Sequence, residues 1–367
     1  VNLGLVEKIA DAVLYEGYIL YPYRPSSVKN QQRWNFGALC PEAYSVAQNG
    51  TESWTMQTEC LLQQTPRTNL EVKVRFLHLL TREVGRRIAD CRLPIAECGH
   101  FQVEICDSHF ALVPALEVNG RLFQAWQEAV ERDVCVPSIN VNRAITQPQT
   151  LDFAFPSDEQ LEPLGDEHSG ELLGVIVRRQ QALKGTVRIQ FADCGVSIGD
   201  SQEEQLTKVS VQILNRTSAD AEHKSRDEAL MRSFVSTHTI LSVQDGEFVS
   251  LLDPPEAFRE AAGGCRNIGT YPVLAGEEGT RDCLLSSPII LYDYPQIAPE
   301  SPGNLFDGTE IDEILTLRIM TLTEEEKREM RGADDRARQI LERTETLPVE
   351  QLMKMHGAMK SVKKAGQ

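Results

Sequence analysis

In stretch after stretch of this chain, apolar residues fall at every second position: Leu70, Val72, Val74 and Phe76; Phe101, Val103 and Ile105; Leu151, Phe153 and Phe155; Val187, Ile189 and Phe191; Val209, Val211 and Ile213. Successive side chains of a strand point to opposite faces, so a period of two predicts strands with one buried and one wet face. Turn chemistry agrees. Asn119-Gly120 separates Leu112–Val118 from Arg121–Trp126, and Asp245-Gly246 separates Thr237–Val243 from Glu247–Leu252, two hairpin signals that argue for antiparallel pairing. Within the middle of the chain only Pro255 to Ala262 reads as a convincing helix, with proline near its start and Gly263-Gly264 at its end. A parallel sheet would need many more crossover helices. The expected fold class is therefore mainly β (α+β), with antiparallel β-sandwich-like units, a short N-terminal helix and a helical C-terminal tail.

The opening Leu3, Leu5, Val6, Ile9, Ala10 and Val13 recur at helical spacing with Glu7, Lys8 and Asp11 between them, predicting a short amphipathic helix that packs on a core. That helix and a first β-rich unit would occupy residues 1–155. The acidic, glycine- and proline-bearing stretch 156–171 reads as a linker, 172–305 as a second β-rich unit, and 306–367 as a charged tail. In the tail, Thr309 and Asp312 can cap a helix, although Leu315, Leu317 and Ile319 equally suit a strand. Thr323-Glu324-Glu325-Glu326 forms a capping box opening a helix through about Glu342, and Leu347-Pro348 ends it before a final segment with Leu352, Met353, Met355 and Met359. With little apolar stripe, the helix opened at Glu324 either projects toward a partner or lies on its own domain.

Charge restricts the function classes. With 54 acidic against 37 basic side chains and a formal net charge of -17, the chain repels polyphosphate backbones and anionic lipid, which argues against nucleic-acid or membrane-surface binding. No run approaches the roughly 20 apolar residues of a bilayer span, and the N-terminus lacks the pattern of a secretory signal, so no membrane insertion and a cytoplasmic location are expected. Nine cysteines, an odd number scattered along a long chain, read as buried thiols rather than a disulfide framework.

Several motifs bear on chemistry. Gly195-Val196-Ser197-Ile198-Gly199 matches a hydrolase nucleophile elbow in letters, yet a second alternating strand follows it instead of a helix, so a hairpin loop is expected. Cys98, His100, Cys106 and His109 carry the donor atoms a transition metal prefers. On an unbroken strand, however, His100 and Cys106 would stand about 20 Å apart, so only a sharp turn could gather them. His238, among small polar residues and read as beside Asp253 of the following strand, has the character of a general base, but no nucleophile is visible beside it and a structural histidine is the favoured reading. No phosphate loop, dinucleotide fingerprint, HExxH helix or CxxC pair is present. Tyr18, Tyr21, Tyr23, Arg24, Arg33 and Trp34 concentrate the residue types enriched at interface hot spots, and form the candidate partner-binding segment with Phe36 at its end.

The segments Ile9–Arg24 and Arg33–Gly37, with Ser287–Gly303 (Ser-Pro-Ile-Ile-Leu-Tyr-Asp-Tyr-Pro-Gln-Ile-Ala-Pro-Glu-Ser-Pro-Gly) and Phe306–Leu315, resemble an uncharacterised bacterial family encoded near high-affinity, oxygen-tolerant uptake [NiFe] hydrogenases. The resemblance implies a non-enzymatic accessory or assembly role in hydrogenase production, with a hydrogenase subunit or maturation factor as partner; it transfers no catalytic or metal-binding residue. Two other readings stay open. One is a metal- or thiol-dependent enzyme or metal carrier using Cys98, His100, Cys106, His109 and His238; the other is a generic ligand-binding β-sandwich without a cofactor.

Overall fold

The computed structural model describes residues 3–16, 35–88, 110–197, 205–218, 225–296, 319–333, 335–346 and 348. In chain order the elements are α1 (Leu3–Glu16), α2 (Glu42–Ala47), β1 (Thr55–Arg87), β2 (Phe110–Val113), β3 (Ala115–Val118), β4 (Arg121–Gln124), β5 (Trp126–Asn140), α3 (Val141–Ala144), β6 (Gln149–Phe155), β7 (Asp158–Gly165) and β8 (Leu172–Gln180). They continue with β9 (Leu183–Ser197), β10 (Gln205–Asn215), α4 (Arg226–Leu230), β11 (Val235–Val249), a 3-10 turn (Glu256–Phe258) leading into α5 (Arg259–Gly263), β12 (Tyr271–Leu274), β13 (Cys283–Ser287), α6 (Glu324–Ala333) and α7 (Asp335–Thr346). The architecture is mainly β with antiparallel sheets, a short N-terminal helix and C-terminal helices.

Strand β1 organises everything else. A straight strand of its 33 residues would run about 110 Å, so it must bend, and it changes partners as it does. Residues 55–64 pair with β10, residues 61–64 and 69–77 with β11, 69–82 with β5 and 80–86 with β8. The first half of β1, with β10, β9 and β6, faces its own second half with β5 and β11. Between them lies the main core: Met56, Leu62, Val187, Ile189, Val209, Val211 and Ile213 on one side; Leu70, Val72, Val74, Phe76, Leu241 and Val243 on the other. Phe76 sits at its centre, with ring centroids 4.6 Å from Phe234 and 6.1 Å from Phe153. The predicted alternation is thus seen in β1, β6, β9 and β10, while Phe101, Val103 and Ile105 lie outside the described residues.

The bend corrects one expectation. Asn119-Gly120 does turn the β3–β4 hairpin, both residues adopting positive φ (51° and 75°). Asp245-Gly246, by contrast, lies inside the continuous strand β11. There the register with β1 jumps from Gln64 opposite Gly246 to Asn69 opposite Gln244, so that Thr65–Thr68 bulges out against Asp245. Asp245 takes φ 55°, and its carbonyl accepts from both the Thr65 hydroxyl (3.2 Å) and the Thr68 hydroxyl. The left-handed backbone that an Asp-Gly pair tolerates is used for a corner, where strands pass from one layer to the next.

The domain boundaries need revision too. Strand β1, from the first predicted unit, pairs with β8, β10 and β11 of the second, and the acidic stretch 156–171 supplies β7 beside β8 instead of a linker. One sheet network runs through both. A ladder of ion pairs holds the acidic strand in place: Arg178 binds Glu162 (2.7 Å) and Glu128 (2.7 Å), and Arg179 binds Glu159 (2.5 Å) and Glu83.

Helix α1 buries Val6, Ile9, Ala10 and Val13 against Ile240, Val273, Leu285 and Leu291 of the outer sheet face, the core role expected of it. Burial of such side chains contributes about 1.5–3 kcal/mol for each large one. The C-terminal segment is not one helix to Glu342. Arg331 and Glu345 form a 2.8 Å ion pair across 14 positions, which in a continuous helix would stand about 21 Å apart, so α6 and α7 fold back on one another. They lie on their own domain: Ile319, Met330 and Leu341 cluster with Trp126, the Arg82 guanidinium donates to Gly332 O (3.0 Å), and Arg328 pairs with Glu117 (2.5 Å).

Candidate contact surface

The structure gives His238 the surroundings of a structural residue. It is fully buried on β11 opposite Arg75, beneath α1. Its Nδ1 donates to Ser236 O (3.1 Å), and Nε2 has no partner among the described residues. Burial, with the positive Arg75 beside it, holds its pKa down to about 4. A neutral imidazole sealed from solvent cannot serve a substrate as general base. Asp253 is no partner either, since it follows the far end of β11, about 35 Å of strand away, with its N–H donating to Ser250 Oγ (3.0 Å).

What lies over His238 is an ion-pair cluster. The Arg75 guanidinium, 8% exposed, donates to Asp11 of α1 (2.7 Å) and to Glu131 (3.2 Å) and Asp133 (3.0 Å) of β5, while Lys73 reaches Glu7 of α1 (2.8 Å). Three carboxylates around one planar fork tie helix, central strand and neighbouring strand together. The arrangement is mechanical.

The other chemical candidates divide in two. Cys98, His100, Cys106 and His109 lie outside the described residues, as do Tyr18, Tyr21, Tyr23, Arg24, Arg33 and Trp34. Among the described residues no group of three or more His, Cys, Asp and Glu is arranged to hold a metal. Cys40, Cys60, Cys135, Cys194, Cys265 and Cys283 are free thiols, and burial pushes Cys265 up to about 11 and Cys283 to about 12, away from the thiolate a nucleophile needs. Gly195–Ser197 closes β9, with Gly195 N–H donating to Asp193 Oδ1 (2.8 Å). The described part of the Gly-x-Ser-x-Gly stretch is thus the end of β9, and the next described element, β10, pairs antiparallel with it.

The surface feature that sequence reasoning missed is a set of large apolar side chains left in solvent at one margin of the sheet. Ile290 is 71% exposed, Tyr292 82%, Tyr271 47% and Phe36 43%. Their placement follows from alternation. In the segment after β13, Ile289 and Leu291 face α1 and pack there, which turns Ile290 and Tyr292 outward. The segment then runs beside β12: Leu274 N–H donates to Asp293 Oδ1 (2.8 Å), and Tyr294 N–H donates to Leu274 O (2.7 Å). Tyr271 of β12, paired with Ser287 of β13, stands at the start of that run. Phe36 arrives from the other side, since its carbonyl accepts from Ser236 N–H (3.0 Å) and the adjoining Gly37 packs on the Pro288 ring.

At this margin side chains are exposed while the backbone edge is closed. Pro272 has no N–H to offer, and the outward groups of Leu274 are taken by Asp293 and Tyr294, so an incoming strand finds no ladder on β12.

Among the described residues no helix is long and apolar enough to cross a membrane. No family model and no curated protein matches the sequence. Among solved structures, the chain aligns with the Klebsiella pneumoniae type II secretion system outer membrane complex of PulD, PulS and the PulC HR domain at 12% identity, covering 60% of this chain and 44% of that one, with a TM-score of 0.07. An overlap that poor carries no argument about fold or function.

Proposed function

We propose that this protein is a non-enzymatic accessory protein that holds another polypeptide through the margin formed by Phe36, Tyr271, Ile290 and Tyr292. The observation that supports the reading is the outward placement of Ile290 and Tyr292 beside a closed sheet edge. Large apolar and aromatic side chains grouped in solvent mark protein contacts more often than they serve a monomer. Ile290 and Tyr292 belong to Ser287–Gly303, and Phe36 to Arg33–Gly37, two of the segments that carry the resemblance to the hydrogenase-associated family. The partner proposed on that resemblance is a [NiFe] hydrogenase subunit or a maturation factor. The C-terminal helices are no longer part of the proposed surface, since α6 and α7 spend their apolar side chains on their own domain.

The test is size-exclusion co-elution of the full chain with purified hydrogenase large subunit, small subunit and maturation factors, each in turn. Co-elution with one of them, weakened at least tenfold in Kd by Ile290→Glu with Tyr292→Glu, is the expected result. No complex with any of them overturns the partner. A complex that the double variant leaves intact overturns the surface.

A further inference from the structure

A second feature, carried by other strands, is a cleft of about 460 Å³ on the outer face of β1, β10 and β9, walled on one side by residues 145–148 between α3 and β6. The side chains opposite the core on these strands are polar. In register they form cross-strand ranks of Gln57 with Gln212, and of Glu59 with Ser210 and Gln190.

The polar floor is organised before any ligand arrives. Gln212 Nε2 donates to Gln57 Oε1 (2.7 Å), and Gln57 Nε2 donates to Arg266 O (2.9 Å), which fixes the orientation of both amides. Glu59 accepts from Arg266 N–H (2.8 Å) and faces the Lys208 ammonium at 3.4 Å, so the one acid of the floor is neutralised by the one base. A site whose charges cancel, in a protein of net charge -17, draws neither anion nor cation by electrostatics. The volume falls within the roughly 300–1,000 Å³ typical of small-ligand sites.

From this chemistry we infer that the cleft binds a neutral polyhydroxylated ligand, a short saccharide. The Gln190 amide presents an acceptor and a donor side by side, a fork that matches two adjacent hydroxyls; Gln212, held by its bond to Gln57, turns its carbonyl oxygen to the cleft as a further acceptor, and the Ser210 and Thr146 hydroxyls give or accept as required. Ile145 and Pro148 supply an apolar wall for the C–H face of a sugar ring. An extended peptide suits the site less well. The cleft lies on a sheet face and offers no backbone ladder, and its floor has no apolar sockets for alternate side chains.

The experiment is isothermal titration of the full chain with maltotriose, cellotriose and triacetylchitotriose, and with triglycine and glucose 6-phosphate as representatives of the peptide and anionic classes. Gln190→Ala and Gln212→Ala, both at outward positions, are titrated alongside, with unchanged thermal unfolding as the check on folding. Saturable binding of a trisaccharide with Kd below about 1 mM, weakened at least tenfold in either variant, is expected. Binding of none of the three, binding that both variants leave unchanged, or binding confined to triglycine or glucose 6-phosphate overturns the assignment. None of these results bears on the margin at Ile290 and Tyr292.

Discussion

Gly37 packs directly against Pro288: a β-carbon added at Gly37 would stand 2.7 Å from Pro288 Cγ, and the glycine holds φ +57° to make the approach. Two segments far apart in sequence are thereby fixed together, one ending in Phe36 and the other leading to Ile290 and Tyr292. Gly37→Ala adds a left-handed backbone penalty to a steric clash, and is expected to cost about 2–4 kcal/mol in urea unfolding. Combining it with Pro288→Gly, which removes both Cγ and the Cβ that would stand 2.8 Å away, should recover most of the steric part and leave the backbone part. A double variant as unstable as the sum of the two single variants would show that the contact does not constrain this corner.

Arg75 is the residue whose loss should most loosen α1. Removing one partner of a buried pair commonly costs about 3–5 kcal/mol. Here Asp11, Glu131 and Asp133 are each more than 40% exposed, so water takes over part of their solvation and about 1–3 kcal/mol is the expected loss for Arg75→Met. The same variant should raise hydrogen-exchange rates in Leu3–Glu16 more than in β10. Uniform acceleration across both would assign Arg75 to global stability alone.

The buried histidines set the acid side of the stability profile. His238 and His78 are both held near pKa 4 from an ordinary 6.5, chiefly by burial. Between pH 6.5 and 4 the unfolded chain binds protons at these positions that the folded chain does not. Stability from this source is therefore complete above about pH 6.5, falls as pH drops through that interval, and is fully lost once the folded-state value is passed. For His238 the span corresponds to about 3 kcal/mol. His238→Gln should flatten the decline in denaturation midpoint between pH 7 and 4; an equally steep decline in the variant would place the acid sensitivity elsewhere.

Much of this fold is legible in the sequence because burial on one face leaves a period of two, as Val209, Val211 and Ile213 show in β10. The corner at Asp245 is not, since an Asp-Gly pair with positive φ serves a hairpin or a bulge equally well and only the partner strand decides. Pro66 hides the continuity of β1 for a similar reason. It reads as a strand breaker, yet it sits in the four residues that bulge out where no ladder bond is needed. The contact margin was half legible: Ile290 and Tyr292 lie in a segment distinctive by sequence, but their exposure depends on α1 covering Ile289 and Leu291, which periodicity within seven residues cannot reveal. At His238 the sequence leaves a structural and a general-base reading open, because burial, the property that decides its chemistry, comes from a helix more than 200 positions away.

The helical hairpin at the C-terminus gives a last prediction. Gly332 lies so close to β4 that an added β-carbon would meet the Leu122 carbonyl oxygen at 2.5 Å, and backbone cannot swing aside as a side chain can. Its own carbonyl accepts from Arg82, which also binds Glu128 (3.0 Å), so displacing the hairpin strips a buried guanidinium of one partner. Gly332→Val is therefore expected to cost about 1–3 kcal/mol and to shift fluorescence from Trp126 to the red, as Ile319, Met330 and Leu341 leave it. Gly263→Ala, where nothing lies within 4 Å of the new carbon, is the control that should change neither. Trp126 emission is isolated by replacing the other two tryptophans with phenylalanine. An unshifted spectrum in Gly332→Val would mean that α6 and α7 tolerate the substitution in place, and that the hairpin is held by the Arg328–Glu117 ion pair and the Arg82 hydrogen bond to Gly332 O and not by close packing at Leu122.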